Sequence, residues 1–133
     1  MSKWVCFHIR LFVFGVCDMR YTRVIKKKGS FRYLFNKGKV SRGKIITIFY
    51  SYLNKDYNTF GICVSKKNGN SVSRNKLKRW VREVYKEQEL SLKKGLNIVF
   101  LVKKDVTFKT SSYHDIKEEI EDIFRKENLY ENS

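Results

Sequence analysis

The sequence predicts an α+β fold in which helices pack on a small sheet within one domain. Three observations lead there. A length of 133 residues suits one domain that buries roughly two-thirds of its unfolded surface. Apolar residues recur at strand-like spacing in some segments and at i, i+3, i+4 spacing in others. No proline, repeat or linker marks a boundary between domains.

The first eighteen residues read separately from the rest. Residues 4–17 are apolar, but they are short for a membrane span and carry His8 and Arg10. Gly15, Val16 and Cys17 make a poor cleavage site, and a lipoprotein signal ending at Cys17 sits badly with a cationic remainder. Met19, followed by Arg20, resembles an independent start. We therefore expect residues 1–18 to be an extension or a misassigned start outside the fold, and residues 19–133 to be the domain.

Ser30 is a candidate cap for a short helix in which Phe31, Leu34 and Phe35 share a face, with Gly38 ending it. Residues 45–52 are β-branched and aromatic, hence a strand. A turn at 54–58 leads to a second strand at 60–65, with room for the two to pair antiparallel. Residues 66–73 form a loop around Gly69. A helix follows from about 74 to about 90. Lys93, Lys94 and Gly95 turn the chain into a short buried strand at 96–102. Ser112 or Asp115 starts a last helix through about 126. The order from the residues alone is α-β-β-α-β-α.

Charge is the outlier. The net value is +16, and no acidic residue occurs from 19 to 55 or from 61 to 82. Self-repulsion of that size weakens a compact state, so a polyanionic partner is expected. At about 100° per residue, Arg74, Asn75, Lys78, Arg79 and Arg82 fall on one helix face, while Leu77, Val81 and Val84 fall on another with Trp80 beside them. Arginine grips phosphate bidentately and lysine acts as a point charge. Lys66 and Lys67 come off a strand end just before this helix, whose N-terminus adds free N–H groups. Around these cations lie Phe31, Tyr33, Phe35, Phe49, Tyr50 and Tyr52. Such rings can fill a core or stack unpaired bases, and the sequence leaves both roles open.

No acid–base pair or nucleophile context stands out, and there is no Walker spacing. Cys6, Cys17 and Cys63 form no CxxC pair, which suits a reducing cytoplasm and neither a disulfide framework nor a zinc site.

The stretch from Gly61 to Glu83, GICVSKKNGNSVSRNKLKRWVRE, resembles the hallmark block of the bacterial ribonuclease P protein subunit family, [LIV]-x-V-[SA]-K-K-x-x-x-x-A-V-x-R-N-R-x-K-R-x-x-R-E. Ser71 stands where the family has Ala, and Lys76 where it has the second Arg of the Arg-Asn-Arg triplet. The likeness extends to SFRYLFNKG at 30–38 and to the last strand and helix, covering about 19–126. It implies an α-β-β-β-α-β-α sandwich with a left-handed βαβ crossover, shared with some ribosomal proteins. It also implies a protein that does not cut RNA: a catalytic RNA holds Mg²⁺ and removes the 5′ leader of precursor tRNA. Carried over by position, the RNA-binding set is Lys66, Lys67, Arg74, Asn75, Lys76, Lys78, Arg79 and Arg82. The leader cleft takes Phe31 and Phe35, with Phe49 or Tyr50 at a register open by one residue. No membrane and no obligate protein partner are implied. A structural RNA-binding protein of ribosomal type is the rival reading.

Overall fold

The computed structural model describes residues 21–131, so the expectation for residues 1–18 lies outside the described residues. The elements run β1 (Thr22–Val24), α1 (Lys28–Lys37), β2 (Lys39–Arg42), β3 (Ile46–Tyr52), β4 (Asn58–Cys63), α2 (Ser71–Gln88), β5 (Leu96–Val102) and α3 (Tyr113–Lys126). They form one five-stranded sheet in the order β1-β4-β5-β3-β2. The residue-based order lacked β1 and β2, which are three and four residues long at the two sheet edges. Segments that short carry too little periodicity to read.

The expected pairing of the strands near 45–52 and 60–65 does not occur. β5 lies between β3 and β4, antiparallel to the first and parallel to the second. Its sequence LNIVFLV is apolar on both faces, as a central strand covered on both sides requires. The β3–β4 connection therefore crosses the start of β5 instead of closing a hairpin. It does so against Gly95, where Leu53 N–H donates to Gly95 O at 2.6 Å. A Cβ there would meet Leu53 O at 2.7 Å, and φ is +83°, so only glycine fits comfortably.

Alternation along the strands divides the core in two. On one face Ile48, Tyr50, Phe60, Ile62, Ile98 and Phe100 pack under α2 and α3. On the other face Phe49, Cys63 and Val99 meet Ile25, Phe31 and Leu34. α1, ten residues long, covers that second face only partly: Val40 is exposed, and Phe35 and Leu101 are half-buried. Gly61 lets α1 approach, since a Cβ on it would sit 2.8 Å from the Phe31 ring.

Helix ends follow local chemistry. Ser112 caps α3 in a reciprocal box with Asp115, as its spacing predicts. Ser30 does not cap α1; the helix starts two residues earlier, after Lys27, with no side-chain cap. α2 starts at Ser71 and not near 74, because Asn70 Oδ1 accepts from Ser73 N–H at 2.9 Å. From α3, Glu119 accepts from the N–H groups of Lys44, Ile45 and Ile46 at 2.7–2.8 Å, tying the β2–β3 turn to the helix.

Candidate nucleic-acid interface

α2 is fixed to the sheet by one stripe. Leu77, Val81, Val84 and Tyr85 are fully buried, and Tyr85 packs 4.5 Å, centroid to centroid, from Phe60. That anchoring turns the opposite stripe outward. Asn75 and Arg79 are exposed, and Arg74, Lys76 and Arg82 are half-buried along the flank. Lys66 and Lys67 are exposed on the 3₁₀ turn between β4 and α2. The structure thus gathers seven of the eight expected RNA-binding residues into one surface.

Lys78 is the exception. It is 5% exposed, and its Nζ is buried without a hydrogen-bond partner. Burial, reinforced by the nearby Arg74, lowers its pKa to about 8. The helical wheel places residue 78 on the border between the basic and apolar stripes. Packing turns it inward, within electrostatic reach of Cys63 at the end of β4. A wheel drawn from the sequence cannot show that burial.

The turn carrying Lys66 and Lys67 is held by Asn68, which is fully buried. Its Oδ1 accepts from Ser65 N–H at 2.9 Å. Its amide nitrogen donates to Lys103 O at 2.6 Å and to Val106 O at 2.7 Å. Ser73 Oγ closes the loop by donating to Asn68 O at 2.9 Å. The Asn68 carboxamide therefore locks the basic turn to the end of β5, and its backbone carbonyl ties the turn to α2. An Asn beside a Gly reads from sequence only as a turn, so this positioning role was not visible there.

The aromatic residues separate by strand alternation. Phe49 faces α1, and its ring meets Phe35 edge to face at 4.7 Å. Tyr50 points to the other side, donates to Glu127 at 2.6 Å, and is held protonated by burial and that carboxylate. Tyr50 therefore faces away from α1, and Phe49 faces it. Phe31 is 2% exposed and works as core. The rings that reach solvent on this side are Phe35 and, on the outer side of α1, Tyr33, which is 54% exposed. Cations rim the helix: Lys26, Lys27 and Lys28 at its start, then Arg32, Lys37 and Lys39, all exposed. Lysines at an uncapped helix N-terminus oppose the helix dipole, a local conflict that a bound anion would relieve.

The acidic side chains gather elsewhere. Lys117 pairs with Glu87 at 3.0 Å and Arg125 with Asp122 at 2.6 Å, on α3 and the distal part of α2. Among the described residues no three His, Cys, Asp or Glu side chains form a metal-holding group, and no helix is long and apolar enough to cross a membrane.

A mixed sheet with a basic helix on one face and, on the other, a short helix ringed by lysines and arginines defines a small, strongly cationic α+β protein. The ribonuclease P family profile matches residues 19–128. The ribonuclease P protein component of Alkaliphilus metalliredigens is 34% identical over 111 residues, 84% of this chain and 98% of that protein. The component from Clostridium acetobutylicum is 36% identical over 107 residues, 79% of this chain and 88% of the relative. Among solved structures, the Staphylococcus aureus ribonuclease P protein superposes with a TM-score of 0.73 at 26% identity, covering 84% of this chain and 98% of its own. The Thermotoga maritima protein gives 0.71 at 26%, covering 78% and 96%. The chain belongs to the ribonuclease P protein family.

Proposed function

We propose that this chain, a protein subunit of ribonuclease P, serves tRNA 5′ processing by binding and not by cutting. The observation that carries this reading is the outward basic stripe of α2, continuous with the Lys66–Lys67 turn and held rigid by Asn68 and the buried stripe beneath. Arg74, Asn75, Lys76, Arg79 and Arg82 contact the catalytic RNA through its phosphates, with Lys66 and Lys67 at the near end. On the opposite face, the groove beside α1 takes the single-stranded 5′ leader of precursor tRNA. Phe35 and Phe49 form its floor, and the lysines around α1 meet its phosphates. The two surfaces lie on opposite faces of one sheet, so catalytic RNA and substrate are held at once without competing.

The chemistry requires this kind of help. Two polyanions repel each other, and cations placed between them lower the electrostatic cost of assembly. Mg²⁺ would be held by the catalytic RNA and the substrate phosphates, where it supplies the Lewis acid and activates water. The protein's own residues bind, orient and neutralise. We place the assembly in the cytoplasm, in keeping with Cys63 as a buried free thiol.

Reconstitution with the cognate catalytic RNA at low Mg²⁺, assaying leader removal, tests this reading. Leader removal is expected to be stimulated by the protein and absent with the protein alone. Tight binding of some other structured RNA with no stimulation would favour the ribosomal-type alternative.

A further inference from the structure

Beside the basic stripe, α2 and the segment linking β5 to α3 enclose an open groove of about 430 Å³. Its walls are Trp80, Phe108 and Tyr113, all half-buried, so ring surface is left facing the groove. Lys76, from the outward stripe, sits with its Nζ 4.8 Å from the centroid of Phe108 and 5.7 Å from that of Trp80. Lys109 is exposed on the rim. Asp115 supplies one carboxylate in the wall, and Thr110 and Ser111 add hydroxyls. At the first turn of α3 the Ser112–Asp115 box takes up the N–H groups of those two residues.

This composition selects among ligands. A bare phosphate would meet aromatic walls and a carboxylate, which disfavour it. A neutral planar ring with an amino edge suits the aromatic walls and can donate to Asp115, while its attached phosphate meets Lys76 and Lys109. The volume lies in the ~300–1,000 Å³ range of small-ligand clefts. Lys76 already shows that a cation settles on these rings, and it stands one helical turn from Arg79 on the stripe assigned to RNA.

We propose that this groove captures one unpaired nucleotide of the RNA bound by α2, with its base stacked against Trp80 and Phe108 and its phosphate held by Lys76 and Lys109. The proposal rests on the reading of α2 as the catalytic-RNA surface and adds a base-holding site to a phosphate-holding one. Trp80 joins binding to fold: one part of its ring packs on the core, and the rest forms the groove wall.

The chain has two tryptophans, Trp4 and Trp80, so a full-length Trp4→Phe chain reports on Trp80 alone. It is titrated with a hexamer of adenylate and with an abasic hexamer of equal charge. The adenylate should quench Trp80 emission and the abasic strand should not. Trp80→Leu, which keeps an apolar side chain on the core, and Phe108→Ser, in the connecting segment, should each weaken adenylate binding by about 5- to 150-fold, the worth of one stacked base. Both should leave affinity for the abasic strand unchanged, which also shows that they remain folded. With the cognate catalytic RNA, the same losses are expected. Equal quenching by both hexamers, or unchanged adenylate affinity in both variants, overturns the groove; normal binding of the catalytic RNA would then leave the subunit assignment intact. Loss with adenylate but not with the catalytic RNA also overturns the proposal, because the nucleotide held would not be one of that RNA. If adenylate quenches Trp80 but the unsubstituted chain fails to bind the catalytic RNA, the subunit reading falls instead.

Discussion

The salt dependence of RNA binding can be worked out from which cations the structure leaves outward. Lys66, Lys67, Arg74, Lys76, Arg79 and Arg82 are exposed or half-buried on one surface, whereas Lys78 is buried. If each of those six neutralises one phosphate, the slope of log affinity against log salt is about −4 to −5.5, the lower figure being for single strands. Affinity for the catalytic RNA then falls ~300- to ~2,000-fold between 50 and 200 mM monovalent salt. Arg79→Ala should make the slope shallower by about 0.7–0.9, because Arg79 is exposed and supports no core contact. Lys78→Met should leave the slope unchanged, although the sequence groups Lys78 with the others. Filter binding across a salt series at fixed Mg²⁺ measures all three. A slope shallower than about −2, or a loss of slope in Lys78→Met equal to that in Arg79→Ala, would refute the assignment of six outward contacts and one buried lysine.

Lys78 also makes a prediction about stability. Its folded pKa of about 8 lies below the ordinary lysine value, so the unfolded chain binds more protons between pH 8 and 10.5 and stability rises with pH there. Lys78→Met should therefore stabilise the fold by about 1–3 kcal/mol at pH 7, with the advantage shrinking toward pH 10 in thermal melts; a constant difference across that range would count against a charged, buried Lys78. Asn68→Ala removes the side-chain bonds to Ser65 N–H, Lys103 O and Val106 O, so a loss of about 2–4 kcal/mol in urea unfolding is expected. Gly61→Ala should cost about 1–3 kcal/mol, because its methyl would press on the Phe31 ring. Phe35→Ala should weaken binding of leader-bearing precursor more than of mature tRNA with little loss of stability, whereas Phe31→Ala should cost about 3–5 kcal/mol and damage both. Equal binding losses for the two RNAs in Phe35→Ala would point to packing alone.

Local chemistry made much of this protein legible in one dimension. The α2 stripe follows from 3.6-residue periodicity, and Ser112 was one of the two starts read for α3. The burial of β5 was legible in its apolar run, broken only by Asn97, though its central place was not. The acid-free charge runs pointed to a polyanion before any fold was known, and the Gly61–Glu83 block pointed to the family. These features depend on residues a few positions apart, where spacing alone sets geometry.

Long-range neighbours decided the rest. Strand order placed β5 between β3 and β4, because a parallel partner for β4 needs the α2 crossover and not a hairpin. Alternation on that sheet then sent Phe49 toward α1 and Tyr50 toward Glu127. Packing of α2 on the sheet buried Lys78, and Asn68 became a lock only once β5 had brought Lys103 O and Val106 O to it. Trp80 and Phe108, 28 positions apart in the sequence, meet only because β5 returns the chain to the flank of α2. The sequence by itself pointed to a polyanionic partner, to the family, and to the helix proposed here to meet RNA. The tertiary structure decided which of that helix's cations face outward and which rings stay partly exposed, since burial belongs to the packed sheet and to no single segment.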